Sequence, residues 1–375
     1  ARIEAFLNSL KHTENKPMPE NFDILNVRMQ EARLSRQPQK GKKLILPDLG
    51  AYTKYLAAYY TELGYDAVPM ESFDRGVFSL GRAEMNSKEY LPLPALLGGA
   101  IRACETYGAE NVQLLIPFNY GADADGQYAR AVRTILDRKG LEQAEIVTPV
   151  LEEIAEKAEN IELFFRALLT GDVVYALPQD MREKYAPQTI PDFDALLKLA
   201  KQTAESQKKG RTIAAVGTPL CLTSLNEGIL DELEKEDNRI QRMPLSEMLY
   251  FLWKDNNLGS AAAFEKMENE MQQLSAALGT ASPYSRAISS LFATAEQYLH
   301  SFSAANGRYR FAKAVDFGKY ADAVLMLVPR YENTAMMLQL RNVAEVCKAP
   351  LFELSLDGDW DESGKSRLQS FLYYC

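Results

Sequence analysis

Short apolar runs alternate with amphipathic stretches of helical period along most of the chain. The apolar run at residues 43–47 predicts a buried strand, and the stretch 52–63, which is followed by Gly64, predicts a helix that ends at this glycine. Strands that alternate with helices are typical of βαβ units and of a parallel sheet. The same alternation predicts further strands at 66–70, 112–117 and 144–148 and helices at 92–107 and 127–138.

The second half of the sequence repeats this alternation after a helical interval. From 151 to about 207 the period is helical, and we expect breaks at Gly171 and at Pro178, Pro187 and Pro191. The prediction is an α/β protein made of two Rossmann/flavodoxin-like lobes with parallel sheets and helical insertions. The later predicted strands are 213–216, 239–243, 323–328 and 351–356, and the later helices are 226–236, 245–253, 260–278, 284–302, one that ends at 346, and one that begins at 363.

This pattern also divides the chain into units. We expect an N-terminal helix (3–10) and linker arm in 1–40, a first α/β lobe in 41–150, a helical connector in 151–210, and a second α/β lobe in 211–375 with inserted helices at about 259–305. Residues 2–7 read RIEAFL and residues 367–372 read RLQSFL, so the two ends match in chemical type. Either two amphipathic helices coincide by chance, or residues 1–12 close a preceding, similar unit of a longer protein.

Composition narrows the class of protein. The 375 residues carry a net charge of −9, which argues against a general nucleic-acid binder, because such proteins cluster Lys and Arg against phosphates. No apolar run approaches the roughly 20 residues of a membrane-spanning helix, and nothing in the sequence resembles a secretion signal. We therefore expect a cytoplasmic protein. With His12 and His300 as the two histidines and four scattered cysteines without a CxxC pair, we expect no metal site.

Two loops resemble ligand-binding motifs but depart from them. Residues 358–366 end in Gly364-Lys365-Ser366, yet five residues separate the glycines where a P-loop has four, and three acidic residues would repel a triphosphate. Asp123 and Asp125 begin a stretch similar to a calcium loop, but the twelfth position is Thr134 and not Glu. We expect both segments to be polar loops.

A series of motifs, taken in order from about 43 to 374, resembles the 2-hydroxyacyl-CoA dehydratases (D-component) and, more closely, the C-terminal region of the large CoA-substrate-specific enzyme activase proteins. Residues 88–93 read KEYLPL, similar to a KECLPL stretch of that family, and residues 120–128 read YGADADGQY where the family has a loop similar to CGPCRFGQY. In the second lobe the matching features are Val216-Gly217, Asn226, residues 244–251 (PLSEMLYF), Asp357-Gly358 and residues 367–372.

The resemblance implies a [4Fe-4S] cluster that cysteines of these loops hold, and here the cysteines are replaced. At the corresponding positions the sequence has Tyr90, Tyr120, Asp123 and Glu332. Iron–sulfur clusters normally need four thiolates, and Cys104, Cys221, Cys347 and Cys375 fall in none of these loops. We therefore expect no cluster, no bound cofactor and no radical dehydration chemistry.

Two hypotheses follow from this resemblance. The first is a cluster-free, non-catalytic scaffold or partner-binding module of a larger redox assembly, with a separate protein or a preceding domain of the same polypeptide as its partner. The second is an enzyme or binding protein that uses the cleft between the lobes for an acyl-CoA or an organic acid, since α/β proteins bind ligands beyond the carboxyl ends of their strands. The sequence assigns no catalytic residue. The candidate polar groups of the cleft are Tyr90, Tyr120, Asp123, Asp125 and Glu332.

Overall fold

The chain folds around two parallel β-sheets, one in each half of the sequence. The computed structural model describes residues 33–85, 90–118, 124–151, 154, 160–185, 189–207, 210–300, 306–330, 332, 334, 338, 342–356 and 362–375. The first sheet contains β1 Leu34–Ser35, β2 Lys43–Leu46, β3 Asp66–Pro69, β4 Val112–Leu115 and β5 Glu145–Val147. The second contains β6 Thr212–Gly217, β7 Arg239–Arg242, β8 Ala323–Pro329 and β9 Leu351–Leu356.

Helices connect these strands and cover the sheets. In the first half they are α1 Ala51–Glu62, α2 Arg75–Ala83, α3 Pro92–Tyr107 and α4 Tyr128–Arg138, followed by α5 Ile161–Ala176, α6 Gln179–Lys184 and α7 Phe193–Glu205. In the second half they are α8 Pro219–Leu222, α9 Glu227–Lys235, α10 Leu245–Asp255, α11 Ala261–Leu278, α12 Ile288–Tyr298, α13 Gly307–Phe317, α14 Val343–Val346 and α15 Glu362–Tyr373.

Both sheets have the same strand arrangement. The first has the order β1-β5-β4-β2-β3 and the second β7-β6-β8-β9, and all paired strands are parallel. In the first sheet the chain runs from β2 to its neighbour β3 and then crosses to β4 on the other side of β2. In the second sheet it runs from β6 to β7 and then crosses to β8 on the other side of β6. The two lobes of the α/β prediction are thereby confirmed. The reversals between β2 and β4 and between β6 and β8 are topological switch points, where open parallel sheets leave a crevice for ligands.

The central strands β4, β6 and β8 are buried along their whole length, and most of their residues are apolar. Leu44, Ile45 and Leu114 of the first sheet have no exposed surface, and all seven residues of β8 are buried. Such runs are typical of parallel strands with both faces covered. Ser35 and Leu34, which lie in the segment predicted as an arm, add a short edge strand that pairs with β5.

The predicted break at Gly171 was wrong. Helix α5 runs through this residue without interruption, and Gly171 is buried in its middle. A Cβ atom at Gly171 would lie 2.1 Å from Cδ1 of Tyr52, so the glycine lets the tyrosine ring of α1 pack directly on the backbone of α5. At this position the glycine therefore indicates close packing between two helices and not the end of a helix.

Several other helices differ from the prediction. The helix expected at 284–302 occupies only Ile288–Tyr298, because Ser285 N donates a hydrogen bond of 2.7 Å to Glu247 Oε2 and the preceding segment lies extended against α10. Helices α2 and α13 were not predicted. In α13 the charged residues Arg308, Arg310 and Lys313 are buried, so the polar pattern that normally marks a solvent-facing side is misleading.

A continuous hydrophobic core joins the two lobes. It extends from Leu44 and Tyr52 of the first lobe through Phe165 of α5 to Phe251 and Leu327 of the second. A smaller core lies on the other face of the first sheet and includes Ile45 and Leu97. No helix among the described residues is long and apolar enough to cross a membrane. The predicted helix 3–10 and the loop 357–361 lie outside the described residues.

Candidate functional site

A cavity lies between the two lobes, at the carboxyl ends of strands from both sheets. It encloses about 1260 Å³ of space free of protein atoms, including its opening to solvent. Pro47 and Pro117 border it from the ends of β2 and β4, and Thr218 and Pro329 border it from the ends of β6 and β8. Both topological switch points therefore open into the same cavity, which we call the cleft.

Most of the cleft is apolar. Its described lining includes leucines from both lobes, and α10 contributes residues from its first two turns. Pockets with an apolar lining and a few convergent polar groups are the usual form of small-molecule sites. The apolar lining residues are Leu46, Leu49, Leu56, Leu96, Leu115, Leu151, Ile154, Phe164, Leu168, Leu220, Leu245, Met248 and Leu249, with Pro47, Pro92, Pro117, Pro219 and Pro329.

Each lobe contributes polar side chains to this lining. The first lobe provides Tyr90 and Asp125, and the second provides Glu332. These three residues, which the sequence singled out from separate loops, come together in one cavity. The other two candidates, Tyr120 and Asp123, lie outside the described residues. The further polar lining residues are Tyr60, Tyr128, Thr218 and Asn306.

Glu332 is held in place by a buried arginine. Arg310 Nη1 donates to Glu332 Oε1 at 2.7 Å, and Nη2 donates to Oε2 at 3.1 Å. Arg310 has no exposed surface and Glu332 is 3% exposed. The helix that carries Arg310 begins at Asn306, another lining residue, whose carbonyl accepts a hydrogen bond from Arg310 N at 2.9 Å. A bidentate pair of this kind fixes the orientation of the carboxylate.

A second buried carboxylate, Asp172, ties together the helices that form the cleft walls. Tyr52 of α1 donates to Asp172 Oδ1 at 2.5 Å, Leu245 N at the start of α10 donates to Oδ1 at 2.9 Å, and Tyr284 donates to Oδ2 at 3.0 Å. The hydroxyl of Ser246 also donates to Oδ2. Burial raises the pKa of Asp172 to about 6, although these hydrogen bonds lower it.

A third buried network lies behind α10. Lys313 Nζ is 2.7 Å from Glu247 Oε1 and 3.0 Å from Ser285 Oγ, and Tyr309 donates to Glu247 at 2.8 Å. Glu247 and Lys313 are almost completely buried. Helix α10 also carries Leu249, which lines the cleft. This network therefore holds α10 in place on the side away from the cleft.

Four helices that begin near the cleft have their first turn occupied or lack a donor there. Asp172 accepts from Leu245 N of α10, and the phenol of Tyr175 accepts from Ala51 N of α1 at 3.2 Å. Helices α3 and α8 begin with Pro92 and Pro219, which have no N–H group. Free N–H groups at helix starts normally attract anions, and at each of these four helices one such group is not available to a ligand.

No cysteine is among the described residues that line the cleft, although Cys221 directly follows the lining residue Leu220 in α8. Cys104, Cys221 and Cys347 are buried and Cys375 is exposed. Burial raises the pKa of Cys104 to about 11 and that of Cys221 to about 12. Within the described ranges, no group of three or more His, Cys, Asp or Glu side chains is placed to hold a metal ion.

Sequence reasoning missed the residues that hold the site together. Arg310 and Asp172 lie inside helices with apolar neighbours, where a charged residue is usually taken as solvent-facing. A usable signal was present, because the stretch 307–317 (GRYRFAKAVDF) has basic residues two and three positions apart among aromatic residues. The sequence did not indicate that Thr218 and Asn306 line the cleft, because this depends on where strand β6 ends and where helix α13 begins.

No protein-family model matches this chain, and no curated protein matches it.

Proposed function

We propose that this chain binds a small organic ligand, an acyl-CoA or an organic acid, in the cleft between its lobes, and does so without an iron–sulfur cluster. The observation that carries the proposal is the convergence of Tyr90, Asp125 and Glu332 in one apolar cavity. Tyr90 and Asp125 come from separate loops of the first half of the chain, and Glu332 comes from the second half. The dehydratase-like resemblance of the same loops supports the choice of an acyl group as ligand.

The physical character of the cleft supports this proposal. An apolar wall contributed by both lobes would remove an acyl chain from water, at roughly 25 cal/mol per Å² of apolar surface. The continuous core between the lobes keeps these walls in place before a ligand arrives. A site that exists before binding loses little affinity to ordering of the protein.

The cluster-free part of the proposal rests on the side chains at the cleft. Tyrosine and carboxylates stand there, and the thiol of Cys221 is fully buried in the neighbouring helix α8. Anaerobic purification followed by iron and sulfide analysis tests this part. We expect a colourless protein without stoichiometric iron, and a brown protein with about four irons per chain would overturn it.

Thermal unfolding with butyryl-CoA, CoA and butyrate tests the binding proposal. A ligand present at 100 times its Kd stabilises the folded state by about 2.7 kcal/mol, so the Tm should rise by several degrees. Leu220→Trp, which fills the cleft, should abolish the rise. Leu225→Trp is the matched control, because Leu225 is half-buried and outside the cleft lining.

Absence of any rise at millimolar ligand would contradict the binding proposal, as would an equal rise in the Leu220→Trp protein. The alternative, a scaffold or partner-binding module of a larger redox assembly, stays a prediction. It would be favoured by that negative result.

A further inference from the structure

A second cavity adjoins the cleft and shares part of its wall. It encloses about 730 Å³ of space free of protein atoms, including its opening to solvent, and we call it the side cavity. The residues that line both the cleft and the side cavity are Tyr60, Leu115, Ile154 and Phe164. The two spaces therefore meet at the same four residues.

The side cavity continues the cleft along the carboxyl edge of the first sheet. The cleft reaches Pro47 after β2 and Leu115 at the end of β4. The side cavity reaches from Leu115 to Pro149 after β5 and to Arg36 after β1. Because the strand order is β1-β5-β4-β2, the two cavities together pass the ends of neighbouring strands in succession. Neighbouring strands lie about 4.8 Å apart, so the spacings from β2 to β1 span about 14 Å.

One stripe of helix α1 follows both cavities. Leu56 lines the cleft, Tyr60 lines both spaces, and Leu63, the C-cap residue of α1, lines the side cavity. Residues four and three positions apart lie on one face of a helix. The ring of Tyr59 packs on Tyr60 with centroids 5.0 Å apart and on Phe164 of α5 at 5.3 Å. A ligand chain that follows this stripe therefore meets apolar and aromatic side chains from the cleft to the side cavity.

Among the described residues of the side cavity, the charged and amide side chains lie at its outer end. Arg36 is half-buried and Gln37 is exposed, and Gln37 N donates to Ser35 Oγ at 3.3 Å in the turn after β1. Val150 and Phe164, which also line this cavity, are 2% and 3% exposed. The inner part of the side cavity therefore suits an apolar segment, and a charged group would lose its hydration there.

We propose that the acyl group bound in the cleft is a long one, whose chain passes Tyr60 and Phe164 and ends in the side cavity. A fully extended chain advances about 1.2 Å per bond, because the backbone bonds of one residue span about 3.6 Å. An acyl chain of about twelve carbons therefore matches the strand spacings from β2 to β1. The inference rests on the proposed function of the cleft as an acyl-binding site. It narrows that function to one class of acyl group.

CoA thioesters that differ only in the length of the acyl chain provide the test. The Kd values of butyryl-, octanoyl- and dodecanoyl-CoA are measured by isothermal titration calorimetry on the full chain, at concentrations below those at which the longest thioester forms micelles. Each methylene removed from water tightens binding about fourfold, so dodecanoyl-CoA should bind at least about a hundredfold more tightly than butyryl-CoA, with octanoyl-CoA between them. A difference of less than about tenfold between dodecanoyl-CoA and butyryl-CoA would overturn the inference.

Variants assign this gain to the side cavity. Leu63→Trp and Pro38→Trp place an indole in the side cavity from two different segments, and each should reduce the ratio of the butyryl-CoA Kd to the dodecanoyl-CoA Kd at least about tenfold. Leu225→Trp is the matched control, since Leu225 is half-buried like Leu63 and lies outside both linings, and it should keep the ratio. A variant that only disturbs the fold would change the Kd values together. A ratio that stays at its wild-type value in both filled variants would contradict our assignment.

An alcohol without CoA separates this inference from the proposed function. Chemical-shift changes caused by 1-octanol at millimolar concentration are compared by NMR in the wild type and in Leu63→Trp. If no thioester binds but 1-octanol perturbs the wild type and not the variant, the acyl-CoA proposal fails and the path of the chain stands. If thioesters bind without a gain from length, only the inference about the chain fails. If no thioester binds and 1-octanol perturbs both proteins equally, or neither of them, the inference is overturned together with the proposed function.

Discussion

The phenol of Tyr52 donates a hydrogen bond of 2.5 Å to the carboxylate of Asp172, and this contact joins the first helix of the first lobe to the connector helix α5. The same carboxylate accepts the backbone N–H of Leu245, which begins the helix of the second lobe that lines the cleft. One buried residue thus links both walls of the cleft. Its environment has measurable consequences for stability.

Asp172 should make the free energy of unfolding fall as the pH rises from about 4 to about 7. Burial raises its pKa from the ordinary 3.8 to about 6, so the folded state holds this proton more tightly than the unfolded chain does. The resulting stabilisation is complete below the unfolded pKa and is lost as the pH rises through the folded pKa. The loss amounts to about 3 kcal/mol.

Urea denaturation of the wild type and of Asp172→Asn at a series of pH values measures this effect. The amide does not titrate, so the stability of the wild type relative to the variant should decrease across this pH range. Asp316→Asn serves as the control for loss of a buried carboxyl group elsewhere. A difference between wild type and Asp172→Asn that does not change with pH would contradict the prediction.

Gly171→Ala should destabilise the protein by about 1–3 kcal/mol, because the new methyl group would overlap the ring of Tyr52 inside a packed core. Gly228→Ala is the control, since a Cβ at Gly228 in helix α9 meets no atom within 4 Å. Alanine is the better helix former, so the control should be neutral or stabilised by up to about 1 kcal/mol. Urea denaturation of both variants checks this, and equal effects would show that Tyr52 does not limit the space at Gly171.

Arg310→Met should cost about 3–5 kcal/mol, because it leaves Glu332 as a buried carboxylate without its arginine. The double variant Arg310→Met/Glu332→Leu should recover most of this loss, since no charge then remains in the apolar environment. A double-mutant cycle on the free energies of unfolding measures the coupling. Additive single effects would mean that the two side chains do not depend on each other.

Cys375 should be the one thiol that reacts rapidly in the native protein. It is exposed, whereas Cys104, Cys221 and Cys347 are buried, and desolvation raises the pKa of all four thiols, so access from solvent distinguishes Cys375. Titration with a coloured disulfide reagent should release about one equivalent before denaturation and about four after it. Rapid release in the native Cys375→Ser variant would show that a buried thiol is reached from solvent.

The alternation of apolar runs and amphipathic stretches was sufficient to predict the two parallel sheets. Strand β9 and helix α3 lie at the predicted bounds, and Pro92 and Gly108 mark the two ends of the helix. The prediction of a helix break at Gly171 was wrong for a local reason. A glycine in a helical pattern indicates a helix end or close packing, and the sequence does not contain the neighbouring ring that distinguishes them.

The candidate site was predicted in part. Tyr90, Asp125 and Glu332 were named from the loops that carry the family resemblance, and all three line the cleft. The partners that fix the geometry of the site could not be predicted from the sequence, because Arg310 approaches Glu332 from a helix in which charged side chains point inward.

The sequence by itself determined which segments are strands and helices and which loops carry polar groups, because these properties depend on residues close together in the chain. Only the tertiary structure decided that both switch points open into one cleft and that Asp172 joins its walls. It also decided that Arg310 holds the carboxylate of Glu332 in place by two hydrogen bonds. Those relationships depend on contacts between segments far apart in the chain, and buried charges are tolerated only where such contacts supply their partners.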